Sequence, residues 1–383
     1  MTIALLTDGI FPYVIGGMQR HSFYLAKYLA AAGIRVDLYH TIPADDKNGE
    51  LEGFSPEEKL NIRSFVVSFP SFGKTPGHYI RESYSYSNEI WNIFKKQSKV
   101  DFIIVKGFAG WELLNRKSKG EDLPPVAVNF HGYEMFQQQS DFSSWIKSKL
   151  LLRSPVLFNM KNADFLFSYG AKITELLLKL GVAKNRILEV PTGISEEWLN
   201  VLPRPSQKLR KYVFSGRYER RKGIKELAKV IRSLLPIKEN IEFHFIGPIP
   251  KARQIVSERI FYHGLISETE KMKNLLQEMD VLICPSLSEG MPNVVMEGLA
   301  SGLAVIATDT GATSVMVNER NGWLIEAGNQ KQLSNAIEKS LKISDDELNL
   351  KKQFAVDFIR QNFLWSKISE KIICLIREKT GDH

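Results

Sequence analysis

Two glutamates, Glu289 and Glu297, bracket the stretch Glu289-Gly290-Met291-Pro292-Asn293-Val294-Val295-Met296-Glu297, which directly follows the apolar run Asp280-Val281-Leu282-Ile283-Cys284-Pro285-Ser286. A buried strand therefore feeds a glycine-containing turn and then a helix. Backbone amides around Gly290 and Asn293 are left unbonded at the helix N-terminus, where a phosphate binds well. Carboxylates beside a phosphate repel it unless they face something else. Sugar hydroxyls suit them, because an ionised glutamate accepts from two hydroxyl donors at once. The chemistry indicated is that of a sugar joined to a phosphate.

The elements that must position these groups can be read along the chain as apolar strands alternating with amphipathic helices. Strands are expected at 3–7, 34–40, 62–69, 100–106, 126–130, 163–168 and 187–190, and then at 212–215, 241–246, 260–263, 281–284, 304–308 and 323–325. Such alternation gives parallel sheets covered on both faces, with right-handed connections. The fold class is α/β, with two Rossmann-like domains. The break between them falls at 196–210, where Leu202-Pro203-Arg204-Pro205-Ser206 resists both helix and sheet.

In open parallel sheets ligands bind beyond the carboxyl ends of the strands. The loop after the first strand runs from Asp8 to Gly16-Gly17 and into a helix expected at 18–32. A glycine pair there admits a phosphate to the backbone, and serves plain tight packing equally well. The fifth strand ends in Asn129-Phe130-His131-Gly132-Tyr133-Glu134, where His131 is either a structural hydrogen bonder or a group beside the reacting centre. The second domain opens with Ser215-Gly216-Arg217-Tyr218-Glu219-Arg220-Arg221-Lys222-Gly223. This cationic cluster is more concentrated than solubility requires, though it also reads as a solvated loop. Arginine offers a planar fork and lysine a point charge, a pair that can neutralise an anion without a metal. Arg220 and Arg221 are expected at the rim, facing solvent.

At 383 residues, with 44% apolar and 25% charged residues, the chain fits two soluble domains. Cys284 and Cys374 suggest neither a disulfide framework nor a zinc site. No apolar run reaches the length of a membrane span, and residues 1–7 read as a first strand and not as a signal peptide, so a cytoplasmic location is expected. The net charge of +8 points to anionic small molecules or an anionic membrane surface. Nucleic acid is disfavoured, since the basic residues are dispersed and no nucleic-acid-binding pattern accompanies them. The stretch Ser144-Trp145-Ile146-Lys147-Ser148-Lys149-Leu150-Leu151-Leu152-Arg153 is amphipathic as a helix, and fits either packing on the first sheet or contact with anionic lipid through Lys147, Lys149 and Arg153.

The spacing of Glu289 and Glu297 resembles the E-x7-E motif of retaining glycosyltransferases of the GT-B fold, family 4. The frame around it matches as well: a P-S-x-x-E-G turn, a helix at 293–301, and Gly302-Leu303-Ala304-Val305-Ile306-Ala307-Thr308 as the next strand. His131-Gly132-Tyr133-Glu134 is similar to the family's H-G-x-E segment, and Gly216 to Gly223 to its G-R-x-x-x-x-K-G segment. The resemblance implies two Rossmann-like domains facing each other across a cleft: 1–196 for the acceptor, with the C-terminal helix 366–383 crossing back to it, and 205–362 for the nucleotide-sugar donor. It implies His131, Arg217, Lys222 and Glu289 as catalytic residues. Donor contacts would come from Gly16, Gly17, Arg217, Lys222, Ile266, Glu289, Gly290, Met291, Asn293 and Glu297, with Glu289 on the transferred sugar and Glu297 on the ribose. Ile266 belongs to His263-Gly264-Leu265-Ile266-Ser267, similar to the family segment whose backbone reads the base.

The activity implied is transfer of a hexose from a nucleotide-diphosphate sugar, a UDP-sugar by family habit, to a glycan or lipid-linked glycan acceptor in surface polysaccharide synthesis. No cofactor and no metal are expected. The chain departs from the family at Gly311-Ala312-Thr313-Ser314-Val315, where an acid is missing, and at Thr192, where asparagine is usual. A nucleotide-sugar epimerase, a glycogen or starch synthase and a non-enzymatic nucleotide-binding protein are the competing readings. Activity without an added acceptor would distinguish the first, and nucleotide binding without turnover the last.

Overall fold

The computed structural model describes residues 1–42, 51–73, 75, 77–137, 148–199, 203–236 and 238–381. Its strands form where the apolar runs place them. In the first half they are β1 Thr2–Leu6, β2 Arg35–His40, β3 Ile62–Val66, β4 Phe102–Lys106, β5 Val126–Asn129, β6 Phe165–Ser168 and β7 Ile187–Glu189. The second half has β8 Arg210–Ser215, β9 Ile241–Ile246, β10 Ile260–Gly264, β11 Val281–Cys284, β12 Ala304–Thr308 and β13 Gly322–Ile325. Central strands such as β4 and β12 are buried along their whole length, as expected of sheets covered on both faces. The third strand is shorter than its apolar run predicts: among the described residues β3 pairs with β2 alone, whose last partnered residue is His40 opposite Val66.

Both sheets are parallel, in the orders β3-β2-β1-β4-β5-β6-β7 and β10-β9-β8-β11-β12-β13. This is the architecture of two Rossmann-like domains facing each other. In each sheet the strand order reverses beside the first strand, between β1 and β4 and between β8 and β11, and the crevice beyond such a switch point is where ligands bind.

Helix Trp365–Thr380 follows the second sheet in sequence yet packs against helix Gly17–Ala31 of the first domain. Its Trp365, Ile368, Ile372 and Ile376 share an apolar cluster with Ile3, Leu5 and Leu29. Two chain segments therefore run between the domains. They lie side by side, with Ile194 N donating to Phe363 O at 2.8 Å and Trp365 N to Ile194 O at 3.1 Å.

Of the amphipathic stretch, residues 144–147 lie outside the described residues. Arg153 is not turned outward as lipid contact requires: its Nε donates to the Met135 carbonyl at 2.9 Å and its guanidinium lies over the Phe136 ring. Among the described residues no helix is long and apolar enough to cross a membrane.

Candidate active site

The two switch points face each other, and each carries a helix start. Gly17 is the first residue of helix Gly17–Ala31 after β1, and Asn293 is the first residue of helix Asn293–Ala300 after β11. A Cβ on Gly17 would lie 3.6 Å from Asn293 Nδ2, so the two N-termini meet across the cleft. Neither start is capped by a side chain. First-turn amides from both domains are thus left pointing into one space, and helix dipoles make that space favourable for an anion. A cavity of about 410 Å³ opens there, lined by Gly17, His131, Arg217, Lys222, Glu289, Gly290, Met291 and Asn293 among others.

Glu289 is buried, with Lys222 Nζ at 2.6 Å from Oε1 and Arg221 Nη1 at 3.3 Å from Oε2. Burial pushes its carboxyl up, but the two cations outweigh burial and hold it below the usual carboxylate range. Arg221 also reaches Glu134 of the first domain at 3.4 Å and Glu219 at 3.5 Å. This corrects the expectation of a solvent-facing Arg221. It is Arg217 that is largely exposed, at 70%, with its Nε 3.0 Å from Glu219.

Backbone geometry accounts for the exchange. Residues Arg220–Lys222 form a single 3-10 turn, Leu287 N donates to Arg221 O at 2.7 Å, and Gly223 takes a left-handed φ of 67° against the Pro285 carbonyl. The turn is thereby pinned to the loop after β11 with Arg221 and Lys222 inward. Composition shows a cationic cluster but not which members a tight turn directs inside.

Glycines let the two domains touch. A Cβ on Gly290 would stand 2.9 Å from Gly132 Cα, so the loop after β11 meets the loop after β5 backbone to backbone. The segment that lacks the family's acid supports this loop through its main chain: Ala312 N donates to Gly290 O at 2.7 Å, and a Cβ on Gly311 would collide with the carbonyls of Glu289 and Gly290. Thr192 N meets Met291 Sδ at 3.3 Å.

His131 has a left-handed φ of 58°, unusual for a side chain of its size. Its Nδ1 is paired with the Tyr169 hydroxyl, while Nε2 is buried and has no partner. Burial, with Lys106 nearby, keeps the imidazole well below its ordinary value and hence neutral. Glu297 lies apart from Glu289, in an adjoining cavity of about 50 Å³ that also takes in Arg20, His21 and Thr269. Arg20 Nη1 stands 3.6 Å from its Oε1, and burial raises the Glu297 carboxyl in spite of that cation. Ile266 lines neither cavity and packs, half-buried, against the core just beyond β10. Gly16 likewise lines neither; it holds an extended backbone immediately before Gly17.

Two residues of this region escaped sequence reasoning. His21, one turn into helix Gly17–Ala31, lines both cavities, and its Nδ1 is 3.0 Å from Nζ of the fully buried Lys106 at the end of β4. Read as sequence, Lys106 is one more lysine closing an apolar strand. Among the described residues no group of three His, Cys, Asp or Glu side chains is arranged to hold a metal ion.

Residues 15–198 match the profile described as Glycosyltransferase Family 4, and residues 210–342 match Glycosyl transferases group 1. The chain is 26% identical over 216 residues to the N,N'-diacetylbacillosaminyl-diphospho-undecaprenol alpha-1,3-N-acetylgalactosaminyltransferase of Campylobacter jejuni, covering 54% of this chain and 55% of that one. It is 27% identical over 181 residues to the capsular polysaccharide biosynthesis glycosyltransferase CapM of Staphylococcus aureus, covering 44% and 47%. These matches span about half the length of each relative. Sucrose-phosphate synthase from Thermosynechococcus elongatus superposes over 100% of both chains with a TM-score of 0.79 at 17% identity. Anabaena HepE in complex with UDP and glucose superposes over 99% of this chain and 100% of its own with a TM-score of 0.67 at 14% identity. The shared fold is GT-B.

Proposed function

The chain belongs to glycosyltransferase family 4, the group 1 glycosyl transferases, and from that premise we propose that it transfers a hexose from a UDP-sugar with retention at the anomeric carbon. The acceptor is a glycan or lipid-linked glycan of surface polysaccharide synthesis, and no metal ion takes part. The observation that carries this reading is the meeting of two uncapped helix N-termini beside the Lys222–Glu289–Arg221 cluster. It supplies amides and cations for a diphosphate, and a carboxylate for the sugar attached to it.

Lys222 and Arg221 are engaged by Glu289. A donor diphosphate takes over these cations, and Glu289 turns its acceptor lone pairs to hydroxyls of the sugar. The bond between the anomeric carbon and the phosphate oxygen breaks with its electron pair going to that oxygen. An acceptor hydroxyl oxygen bonds to the same face of the carbon, and its proton passes to the departing phosphate. Lys222, Arg221, Arg217 and the amides near Gly17 and Gly290 stabilise the charge that develops on the diphosphate, which is where preorganised dipoles act most strongly. The neutral Nε2 of His131 faces the reacting sugar, and Glu297 serves the ribose hydroxyls.

A UDP ligand in HepE and a diphospho-undecaprenol in the Campylobacter relative's name support the donor and the lipid-linked acceptor. Such an acceptor would place the reaction at the inner face of the membrane. Nuclear magnetic resonance of the product formed from UDP-hexose and a lipid-linked glycan tests the whole reading. An α-linked product from an α-linked donor is expected, and inversion, or release of UDP without acceptor, would overturn it. Sedimentation with anionic vesicles at low salt tests the membrane contact, which Lys147→Ser with Lys149→Ser should abolish, each basic residue being worth ~1 kcal/mol at such a surface. Unchanged sedimentation would remove the membrane from the account.

A further inference from the structure

Lys106 is among the largest fully buried side chains, and the partner its Nζ finds is one imidazole nitrogen, Nδ1 of His21 at 3.0 Å. An ammonium has three donors and no acceptor, so a single imidazole leaves it poorly satisfied, and burial of an unpaired charge is costly. Among the described residues no carboxylate is ion-paired with it. The groups facing the Lys106–His21 pair are the His131 ring, perpendicular to His21 at 5.1 Å, the Tyr169 ring at 6.0 Å, and the Trp365 ring at 5.0 Å. On its own helix the nearest charge is Arg20, turned to Glu297, and across the cavity Lys222 and Arg221 are turned to Glu289.

Burial drives the Lys106 amine well below its ordinary value, and burial with Lys106 and His131 does the same for His21. Burial thus disposes this amine and imidazole toward their uncharged forms beside the helix start where a phosphate would lie. His21 lies one helical turn after Gly17, on the same face as the unbonded amides of that helix start. Its Nε2 has no hydrogen-bond partner among the described residues.

We propose that His21 is a further donor-binding residue, held by Lys106, and that nucleotide diphosphate binding draws one proton from solvent onto this pair. A protonated Lys106 donates to His21 Nδ1, which fixes the ring proton on Nε2 and turns that nitrogen into a donor to a phosphate oxygen. The anion supplies the countercharge the buried pair lacks. Lys106 is a positioning residue and His21 the contact.

The inference rests on the nucleotide-sugar reading, and calorimetry separates the two. UDP, GDP and ADP are titrated into the full chain at pH 8 in two buffers of different ionisation enthalpy, whose difference in heat counts protons. Uptake approaching one proton is expected. In Lys106→Met the uptake should vanish and affinity fall ~10-fold or more, as for loss of a charge-assisted hydrogen bond. His21→Gln, whose Oε1 can accept from Lys106 while its Nε2 donates, should retain most of the affinity and of the uptake, whereas His21→Phe should lose both. Binding with no proton uptake, or Lys106→Met behaving as the parent, overturns this inference alone. Failure of the parent to bind any of the three nucleotides overturns the donor reading and this inference with it. Thermal unfolding of each variant distinguishes lost contact from lost fold, since replacing a buried amine by methionine should not lower stability.

Discussion

Glu289, proposed to hold the sugar as a carboxylate, keeps its charge in a buried setting because Lys222 and Arg221 stand against it. Lys222→Ala should therefore act twice, removing a cation from the diphosphate and weakening the hold on Glu289. Turnover should fall by ~100-fold or more, the scale for one preorganised charge partner. A chelator should leave the parent active, and loss of activity restored by magnesium or manganese would refute metal independence. The two acids should separate in calorimetry, because they line different cavities. Glu297→Ala should weaken binding of UDP by ~1.5–3 kcal/mol, the worth of a hydrogen bond to a charged group. Glu289→Ala should leave UDP affinity nearly intact and cripple transfer; the reverse pattern would mean the assignments are exchanged. Residue identity made both glutamates legible in the sequence, since their spacing and the turn between them are local. Arg221 was not legible, because its direction depends on a single 3-10 turn tied to a loop more than sixty positions later. Lys106 and His21 were hidden for the same reason: their contact joins a strand end to a helix far away in the chain.

Elements follow the sequence more closely than side-chain directions do. The strands β11 and β12 appear where apolar runs lie between helices, because a strand buried on both faces favours an unbroken apolar run and so advertises itself. Where the apolar run outlasts its partner, as at Val67-Ser68-Phe69, the strand stops, since pairing and not composition sets its end. Helix Trp365–Thr380 is amphipathic in sequence, but nothing in its pattern says which domain its apolar face covers. Its docking can be measured: Ile376, fully buried in the first domain's cluster, should cost ~2–5 kcal/mol on change to alanine, seen as a lower urea midpoint. No change in midpoint would mean the helix does not pack there in solution.

At the scale of the whole molecule the cleft is drawn together by pairs that cross it: Arg20 with Glu297, Arg221 with Glu134, and Lys172 with Asp309 at 2.7 Å. Another approach is made without side chains, where Gly132 and Gly290 meet. Gly290→Ala should hold the domains apart, raising the radius of gyration in X-ray scattering and abolishing transfer. UDP binding should weaken but persist, because Lys222 and Glu297 belong to the second domain while His21 and the Gly17 amides belong to the first. An unchanged radius with full activity would show that closure does not pass through this contact.

The double crossing at Ile194 and Phe363 to Trp365 makes the second domain, in connectivity, an insertion within the first. On the ribosome this inverts the usual order, in which N-terminal domains are finished first. The second sheet is fully synthesised once β13 has emerged, while the first domain still waits for Trp365, Ile368, Ile372 and Ile376 to cover its cluster. A nascent chain paused before residue 365 should therefore carry a folded second domain and a first domain with exposed apolar surface, a natural client for a chaperone, and the domain begun first is the last to be sealed.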